Sequence, residues 1–274
     1  MIDVDTMRRL LMHEARVHAI PGRDLRDLGD AIMLHDAGHS EPFWNRLEGI
    51  RWPDDPSAFD RRLTEMLVMF ASLGRSPHVW ASPLYDAPAD LVPRLQANGF
   101  SDLGSSHVML LTDLSASTDP AATSCPPGAT IERLGAIDPA AVDAAATAIV
   151  TVLLDAFDVE SDRRTAIERE TATSLSHPWF THYLVRVGGA PASVARRATF
   201  DGASYLSSIG TAGWARGRGL GGLVTRTAVA DAVAAGSRWT YLGVFADNPT
   251  AIGIYERAGF EQLGSPAPDL LLAR

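Results

Sequence analysis

A segment rich in glycine and arginine, Arg216 to Gly222, constrains the fold of this chain more than any other. It reads Arg-Gly-Arg-Gly-Leu-Gly-Gly, and it lies between a strand-like segment and a helical one. Four glycines let backbone N–H groups approach an anion closely, and the N-terminus of the following helix adds partial positive charge. The segment therefore predicts a loop that binds a pyrophosphate.

Two other phosphate-binding loops share part of this pattern. From Gly217 the letters fit Gly-x-Gly-x-x-Gly, the fingerprint of dinucleotide-binding folds, which requires an acidic residue about 20 residues later. Leu242 occupies that region with no acidic neighbour, and the loop follows two predicted hairpins instead of opening its domain. A Walker A loop needs a lysine, and the chain contains none. The context therefore disfavours the dinucleotide fold and excludes the Walker A loop.

Composition limits the class of protein. The chain has 274 residues, 46% of them hydrophobic and 21% charged, which suits one large or two ordinary globular domains. A net charge of −9 provides no global basic surface for nucleic acid. The single cysteine, Cys125, cannot form an intrachain disulfide, the N-terminus is too charged for a signal sequence, and the apolar run 144–154 is too short to span a bilayer. We expect a cytoplasmic protein without nucleic-acid or membrane partners.

The chain divides at residues 113–128, which read DLSASTDPAATSCPPG and show no apolar periodicity. This composition is typical of a linker between domains. It predicts an N-terminal domain at 1–112 and a C-terminal domain at 129–274. Cys125 lies in the linker, where no rigid scaffold tunes its pKa, so a nucleophilic role is not expected.

Alternating apolar residues, caps and turns predict the order β-α-α-β-β-β-α-β-α-β-β for the C-terminal domain. Its expected strands are 129–134, 180–187, 192–200, 203–211, 239–244 and a closing pair, and its helices begin at Asp138, after Ser161, at the glycine loop and at Pro249. The N-terminal half repeats the latter part of this order, with strands at 28–34, 43–50, 78–82 and 107–111 and helices at 56–73 and 90–98. The endings LQANGF and YERAGF are alike, which suggests an internal duplication.

At these motifs the sequence resembles the GCN5-related N-acetyltransferases (GNAT family). The loop R216-G-R-G219-L-G221 is similar to that family's acetyl-CoA pyrophosphate motif. The segment N248-P-T-A251-I-G-I-Y255-E-R-A-G259-F260 is similar to its second motif, Asn-x-x-Ala-x-x-x-Tyr-x-x-x-Gly-Phe. One helix and one strand separate the two, as the family requires. The resemblance covers roughly residues 129–274.

The resemblance implies an α/β (α+β) fold of two GNAT-like domains. Each would have a mixed, mostly antiparallel sheet flanked by helices, with a splayed parallel strand pair at the cofactor site. The N-terminal domain resembles the family only in element order and lacks the glycine loop, since its corresponding segment is RWPDDPSAF. We therefore interpret it as a degenerate copy that does not hold coenzyme A (CoA) in this way.

The resemblance also assigns residues to acetyl-CoA, the expected co-substrate. The backbone of Ile209 and Thr211 would bond the pantetheine arm and position the thioester carbonyl. Asn248 would anchor the cofactor arm, and Tyr255 would act as general acid for the departing CoA thiolate, either by donating a proton or by orienting the group. The pyrophosphate would be held by the loop residues Arg216, Gly217, Arg218, Gly219, Leu220, Gly221 and Gly222.

The general base is the point at which this sequence departs from the family pattern. Many members carry a glutamate on the strand before the loop or five residues ahead of the motif Asn, and here those places hold Ser207, Ser208 and Gly243. A water chain would serve instead, or an amine of lowered pKa would need no strong base. His182 and Tyr205 are candidates, although a structural role suits each of them better.

The expected activity is N-acetylation of a primary amine of a small molecule or peptide by direct attack. The alternatives are an acyltransferase with a longer acyl-CoA donor and a non-catalytic acyl-CoA-binding sensor. The acidic segment 155–162 would favour a cationic acceptor if it bordered the site, although a solvated loop is the simpler interpretation. His35 and His39 have helical metal-ligand spacing, but Gly38 and the absence of a third ligand argue against a metal, and none is expected. We expect a monomer of pseudo-dimeric domains or a homodimer.

Overall fold

The computed structural model describes residues 2–20, 22–114 and 123–273. Its helices are α1 (Val4–Ala19), α2 (Pro56–Ser72), α3 (Leu91–Ala97), α4 (Pro139–Ala156), α5 (Arg164–Leu175), α6 (Leu220–Ala234) and α7 (Pro249–Glu256). Its strands are β1 (Asp24–Asp27), β2 (Ile32–His35), β3 (Arg46–Glu48), β4 (His78–Trp80), β5 (Ser101–Leu111), β6 (Ala129–Leu134), β7 (Phe180–Val187), β8 (Ala190–Phe200), β9 (Ala203–Thr211), β10 (Trp239–Phe245), β11 (Phe260–Gln262) and β12 (Ala267–Leu271).

The described residues group into two compact units. The first contains the chain up to Val108 together with 244–247 and the residues from Leu263 onward, and the second contains 109–243 and 248–262. The predicted division at 112/113 lies close to the change of unit at 108/109. The predicted C-terminal domain differs from the second unit, because its last strand, β12, belongs to the first. Residues 115–122 of the predicted linker lie outside the described residues.

The first unit is built on a mixed sheet. Strands β1, β2 and β3 pair antiparallel, and β3 pairs parallel with β4 through Leu47↔Val79 and Glu48↔Trp80. The C-terminal strand β12 lies antiparallel between β4 and β5. Helices α2 and α3 cover this sheet, and the core beneath them contains Met66, Phe70 and Leu95, each fully buried.

The second unit repeats this connectivity. Strands β6, β7, β8 and β9 pair antiparallel, and β9 pairs parallel with β10 through α6, as β3 pairs with β4 through α2. The predicted fold class is therefore confirmed: both units carry mixed, mostly antiparallel sheets with one parallel pair and flanking helices. The predicted element order of the C-terminal half is also the observed one.

Helix α4 begins where the sequence predicts. The Asp138 carboxylate accepts a hydrogen bond from the Ala140 backbone N–H at 2.8 Å, and Pro139 occupies the first helical position. Its apolar face packs against β7 and β8 around Ile149, Val152 and Leu184. At 18 residues and a hydropathy of 1.5, α4 has the length and composition of a membrane span, although 33% of it is buried inside the protein. Its buried residues include those that pack on the sheet.

Two predicted strands of the N-terminal half are wrong in position. Residues 28–34 contain the turn between β1 and β2, because the Asp27 carboxylate accepts a hydrogen bond from the Gly29 N–H and Gly29 adopts a left-handed φ of 85°. Within 43–50 only β3 is extended, since Pro42–Trp44 forms a 3₁₀ turn. Helix α1 was not predicted at all, although Asp3 caps it through the Thr6 N–H at 2.7 Å.

Candidate functional site

A cavity of about 720 Å³ opens in the second unit where β9, the glycine loop, α6 and α7 meet. Its volume is in the range of small-molecule and cofactor sites. Every residue that the sequence predicted for the site lines this cavity except Arg218, which is exposed outside it. The lining also includes residues that were not predicted, namely Ala156, Phe157, Gly210, Ala215, Arg226, Thr250, Ala251, Ile254 and Arg257.

The cavity begins where the parallel strand pair separates. Strands β9 and β10 stay in register up to Leu206↔Leu242, and no later pair between them occurs within the described residues. A bulge lies at this point: Arg196 pairs with Ser207 and Val194 with Gly210, so two residues of β9 stand opposite one of β8. Ser208 in the bulge has a left-handed φ of 52°. The bulge bends β9 away from its neighbour and opens the cleft.

The backbone of β9 beyond the bulge faces this cleft at alternate residues. The Ala212 N–H donates to Ala192 O of β8 at 2.9 Å, and the Ser193 hydroxyl of β8 donates to Gly210 O at 2.8 Å. Since successive residues of a strand direct their polar groups to opposite sides, the N–H and C=O groups of Ile209 and Thr211 point toward the cavity. This geometry fits the predicted hydrogen bonds to a pantetheine arm, which stay a prediction.

Two residues of the glycine loop have a backbone conformation that favours glycine. Gly217 and Gly219 are left-handed, with φ of 75° and 74°, and Gly219 is the N-cap of α6. A Cβ atom at either position would meet no atom within 4 Å. The loop thus forms an open cradle of N–H groups at a helix N-terminus, and a side chain at Gly219 would occupy space that an anion needs.

Arg216 supports the loop from behind. Its Nε donates to Thr211 O at 3.3 Å and its Nη2 donates to Ala156 O at 3.2 Å. The guanidinium therefore joins the loop to the ends of β9 and α4, with donors left over for an anion. Its predicted phosphate contact stays a prediction, and the structure adds this positioning role.

The C-terminal turn of α4 comes unusually close to β9. A Cβ on Gly210 would lie 2.9 Å from the Ala156 side chain, so only glycine permits this approach. The close approach brings Phe157, a half-exposed side chain, to the cavity wall. In the same turn the Asp155 carboxylate accepts a hydrogen bond from the Gly213 N–H, just ahead of the loop. Helix α4 thereby fixes one wall of the site.

Asn248 lies at the predicted place and has a structural role there. It is the N-cap of α7, where its side-chain oxygen accepts a hydrogen bond from the Ala251 N–H at 3.0 Å, and Pro249 follows at the first helical position. The side-chain amide nitrogen donates in no hydrogen bond within the described residues. Asn248 therefore starts the helix that carries Tyr255 and still presents a donor to the cavity.

Tyr255 lines the cavity from α7 and is 94% buried, since only 6% of its surface is exposed. Its ring packs edge-on against Phe260, with centroids 6.3 Å apart. Burial raises the pKa of Tyr255 to about 12, so the phenol stays protonated at neutral pH. Transfer to a thiolate whose parent thiol has a pKa near 8.5 is then uphill, which favours hydrogen bonding to the leaving group, with proton transfer only as the C–S bond breaks.

The cavity contains no evident general base. Its described lining residues include no Asp, Glu or His. Ser207 accepts a hydrogen bond from Arg196 Nε at 3.0 Å. His182 is buried and bonded to the Ser174 hydroxyl at 2.8 Å, and burial lowers its pKa to about 3, so it is a neutral core histidine. Tyr205 packs on Tyr241 and does not line the cavity.

The remaining sequence candidates lie away from this cavity. His35 bonds Asn45 through its Nδ1 at 2.8 Å, and His39 accepts from the Glu41 N–H. Over the parts of the chain that the structure describes, no group of three or more His, Cys, Asp or Glu has metal-binding geometry. Cys125 is half-exposed and unpaired. Neither feature contributes to the site.

Two of the lining residues that the sequence did not predict are arginines, Arg226 on α6 and Arg257 at the C-cap of α7. Each stands four residues after a glycine, Gly222 and Gly253. This spacing alone does not predict a place in the cavity wall, because the sequence does not show which face of each helix lines the cavity.

Comparison with known proteins agrees with this geometry. Residues 147–260 match the acetyltransferase (GNAT) family model, a range that contains the bulged strand, the loop and both motifs. No curated protein sequence matches the chain. Residues 147–260 are therefore similar to the acetyltransferase (GNAT) family in sequence.

Solved structures with the same fold extend over nearly the whole chain. A GCN5-related N-acetyltransferase from Kribbella flavida has a TM-score of 0.67 at 20% identity, with 96% of this chain and 95% of that one covered. A tandem GNAT protein from the clavulanic acid biosynthesis pathway has a TM-score of 0.64 at 16% identity, with 95% and 88% covered. A functionally unknown protein from Staphylococcus epidermidis has a TM-score of 0.65 at 10% identity, with 92% and 95% covered. At these identities the likeness concerns the fold alone.

Proposed function

We propose that this chain, whose residues 147–260 match the GNAT family model, is an acetyl-CoA-dependent N-acetyltransferase acting on a primary amine of a small molecule or peptide. One observation carries the proposal. The cavity combines a cradle of glycine N–H groups at a helix N-terminus with the edge of β9 that β10 no longer pairs beyond Leu206. A ligand with a pyrophosphate at one end and an amide-containing arm fits this pair of features, and CoA has both.

The donor set agrees with such a ligand. Three arginines and no carboxylate lie among the described residues of the cavity wall, in a protein with a net charge of −9. A Cβ at Gly217 or Gly219 would enter open space, so the absence of side chains leaves room for phosphate oxygens. Cationic side chains and backbone N–H groups are the usual partners of phosphate.

In this proposal the protein binds both substrates, orients them and polarises the thioester carbonyl. Acetyl-CoA supplies an acetyl thioester, whose carbonyl carbon accepts the amine nitrogen. The backbone N–H groups of β9 hold the pantetheine arm and stabilise the charge that develops on the carbonyl oxygen. The Tyr255 hydroxyl donates a hydrogen bond toward the sulfur. Binding both substrates side by side converts their encounter into an intramolecular reaction, which accounts for much of the rate.

The described lining of the cavity has no carboxylate that could act as a general base for the amine. Because the described lining residues include no Asp, Glu or His, we infer that water carries the proton to solvent or that the acceptor amine is deprotonated before it binds. Either route predicts activity that rises with pH until the amine is neutral. An acceptor of lowered pKa would be favoured.

The same absence supports a second candidate, a protein that binds acyl-CoA without turnover. Such a sensor would keep the loop, the β9 edge and Asn248 without requiring a base. Acylation with a longer acyl-CoA is the other alternative, and Phe157 on the cavity wall would offer an apolar contact for such a chain.

Steady-state release of free CoA thiol with a panel of amines tests the proposal. Peptides, polyamines and aminoglycosides serve as acceptors, with acetyl-CoA and a longer acyl-CoA as donors. Amine-dependent thiol release, together with an acetylated product by mass spectrometry, supports the transferase. Tight acetyl-CoA binding with no turnover over the whole panel favours the sensor instead.

A further inference from the structure

A smaller pocket of about 50 Å³ lies within the first unit, where the parallel strands β3 and β4 end. We call it the first-unit pocket. Its lining includes Glu48 at the end of β3, Ser82 shortly after β4 and Glu14 from α1. Most of the remaining wall is apolar and includes Leu11 and Leu84. The larger cavity lies at the end of the corresponding parallel pair of the second unit, so each unit has a cavity at the same place in its connectivity.

The two cavities differ in the sign of the charge that lines them. The larger cavity has three arginines and no carboxylate among its described lining residues. The first-unit pocket has two glutamates and no Arg or His among its own. A concave site lined by one sign of charge attracts ions of the opposite sign. The first-unit pocket is therefore suited to a cation and not to a phosphate.

The two glutamates are held together by Arg46, which is fully buried and does not line the pocket. Arg46 Nη2 lies 2.8 Å from Glu14 Oε2 and 3.3 Å from Glu48 Oε1, so a single nitrogen serves both carboxylates. Glu14 Oε1 also lies 2.7 Å from His18 Nε2. Glu14 thus has two close nitrogen partners, whereas the ion pair of Glu48 with Arg46 is the longer one.

Glu48 is poorly compensated as an anion. Burial raises its pKa well above the ordinary value, the nearby Glu14 acts in the same direction, and the charge of Arg46 opposes both. The cause is that two buried carboxylates share one guanidinium nitrogen. A second cation beside Glu48 would stabilise its charged form.

Ser82 provides an independent sign of a ligand at this pocket. It is 94% buried, since only 6% of its surface is exposed, and it lines the pocket. Its backbone is fixed, because the Ser82 N–H donates to Asp86 Oδ2 at 2.6 Å. Its hydroxyl makes no hydrogen bond to any residue that the structure describes. Buried polar groups are normally hydrogen-bonded, so the hydroxyl is available to a molecule in the pocket.

The size of the pocket limits the group that fits. A volume of about 50 Å³ accepts a small head group and not a whole metabolite. A primary ammonium group has positive charge and three N–H donors, which match carboxylate and hydroxyl acceptors. Leu84 lines the pocket and is exposed, so an alkyl chain attached to the ammonium group would contact it on the way to solvent. Among the described residues no group of three or more His, Cys, Asp or Glu could hold a metal ion instead.

We propose that the first-unit pocket binds the ammonium group of a primary alkylamine. Glu48 and the Ser82 hydroxyl accept hydrogen bonds from the ammonium group, Glu14 adds negative charge, and Leu84 contacts the alkyl chain. The site gives the first unit a binding role of its own, with a ligand of opposite charge to the one proposed for the second unit. The inference does not depend on CoA binding or on acetyl transfer.

Calorimetric titration of the full chain with n-butylammonium chloride tests the site. Butan-1-ol lacks the charge and tetramethylammonium lacks the N–H donors, so each should bind at least about tenfold more weakly than butylammonium. Glu48→Gln should weaken butylammonium binding about tenfold or more, because it removes the acceptor charge. Ser82→Ala should weaken it about threefold. The serine variant leaves the glutamates and Arg46 in place, so it keeps the test valid if Glu48→Gln does not fold.

Glu65→Gln is the matched control. Glu65 is an exposed glutamate on α2 of the same unit and does not line the pocket. The substitution removes the same charge and should leave the affinity for butylammonium unchanged. Melting temperatures of the wild type and of each variant show which proteins are folded.

Three results would overturn the site. Equal affinity for butan-1-ol and butylammonium would show that the pocket recognises an alkyl chain and no charge. Wild-type affinity for butylammonium in folded Glu48→Gln or in Ser82→Ala would place the binding elsewhere. Absence of butylammonium binding at about 50 mM would mean that the pocket holds no such cation. Since none of these measurements involves CoA, their failure is distinct from failure of the proposed function.

Discussion

The Asp155 carboxylate accepts a hydrogen bond from the backbone N–H of Gly213, and this contact ties the last turn of α4 to the segment that leads into the glycine loop. Arg216 makes a second tie to the same turn through Ala156 O. A loop whose binding groups are backbone N–H donors depends on such supports, because its own glycines restrict it little. Asp155 therefore acts as a positioning residue for the anion site.

Asp155→Ala should raise the KM for acetyl-CoA about tenfold and leave kcat within about twofold, because a charge-assisted hydrogen bond to the loop is lost. Asp162→Ala is the control, since it removes an exposed carboxylate from the same acidic segment without touching the loop. Initial-rate kinetics on both variants check the prediction. An unchanged KM in the Asp155 variant would refute the positioning role.

Gly219→Glu should abolish acetyl-CoA binding, since the carboxylate would enter the anion cradle. The change also forces a non-glycine residue into a left-handed conformation, at a cost of about 1 kcal/mol. Gly236→Glu controls for this cost, because Gly236 follows the other end of α6 with the same φ of 74° and equally open surroundings. Both variants should lose similar stability in urea unfolding.

Only the Gly219 variant should lose acetyl-CoA affinity in calorimetry. Loss of affinity in both variants would mean that global destabilisation causes it. Retention in both would remove the pyrophosphate assignment from the loop.

Tyr255→Phe should lower kcat about 10- to 100-fold with little change in the Kd for CoA, because the phenol contacts the leaving sulfur and not the phosphates. Tyr205→Phe is the matched control: it also removes one buried hydroxyl, from a residue that does not line the cavity. A wild-type kcat in the Tyr255 variant would exclude the phenol from catalysis.

His182 should make folding stability depend on pH. Burial holds its pKa at about 3 in the folded protein, against about 6.5 when unfolded. Between these values the unfolded chain binds the proton and the folded chain does not, so stability is complete above pH 6.5 and is lost as pH falls toward 3. The nearby positive charge of Arg196 acts in the same direction as burial.

Urea unfolding at pH 7.5 and pH 5.0 measures this dependence. Wild-type protein should lose up to about 2 kcal/mol more over this interval than His182→Gln, which cannot titrate. His39→Gln, which removes an exposed histidine, should keep the wild-type dependence. Equal pH dependence in wild type and His182→Gln would contradict the assignment.

Much of the fold followed from local signals. Strands at 180–187 and 203–211 were predicted at their observed bounds, because alternation and paired turns delimit them. The strand predicted at 28–34 failed because Asp27 and Gly29 form a turn inside an apolar run. The segment DLGD contains the residues of this turn, but the apolar residues that follow favoured a strand in the prediction.

The site could be predicted from the sequence only where a local motif supplies backbone groups to it. Gly217 and Gly219 were predicted from a local glycine pattern, and the structure shows that both have a positive φ. Arg226 and Arg257 were not, because the helix faces that line the cavity are decided by tertiary packing. The membership of β12 in the first unit likewise depends on pairing with strands more than 150 residues away, which no local signal encodes.

Calorimetric titration of the wild-type protein with acetyl-CoA is the decisive test of the proposed cofactor site. We expect one ligand per chain, bound with a micromolar or lower Kd and weakened by rising salt, since phosphate contacts carry much of the affinity. Absence of measurable binding at millimolar acetyl-CoA, by protein that is folded by circular dichroism, would contradict it.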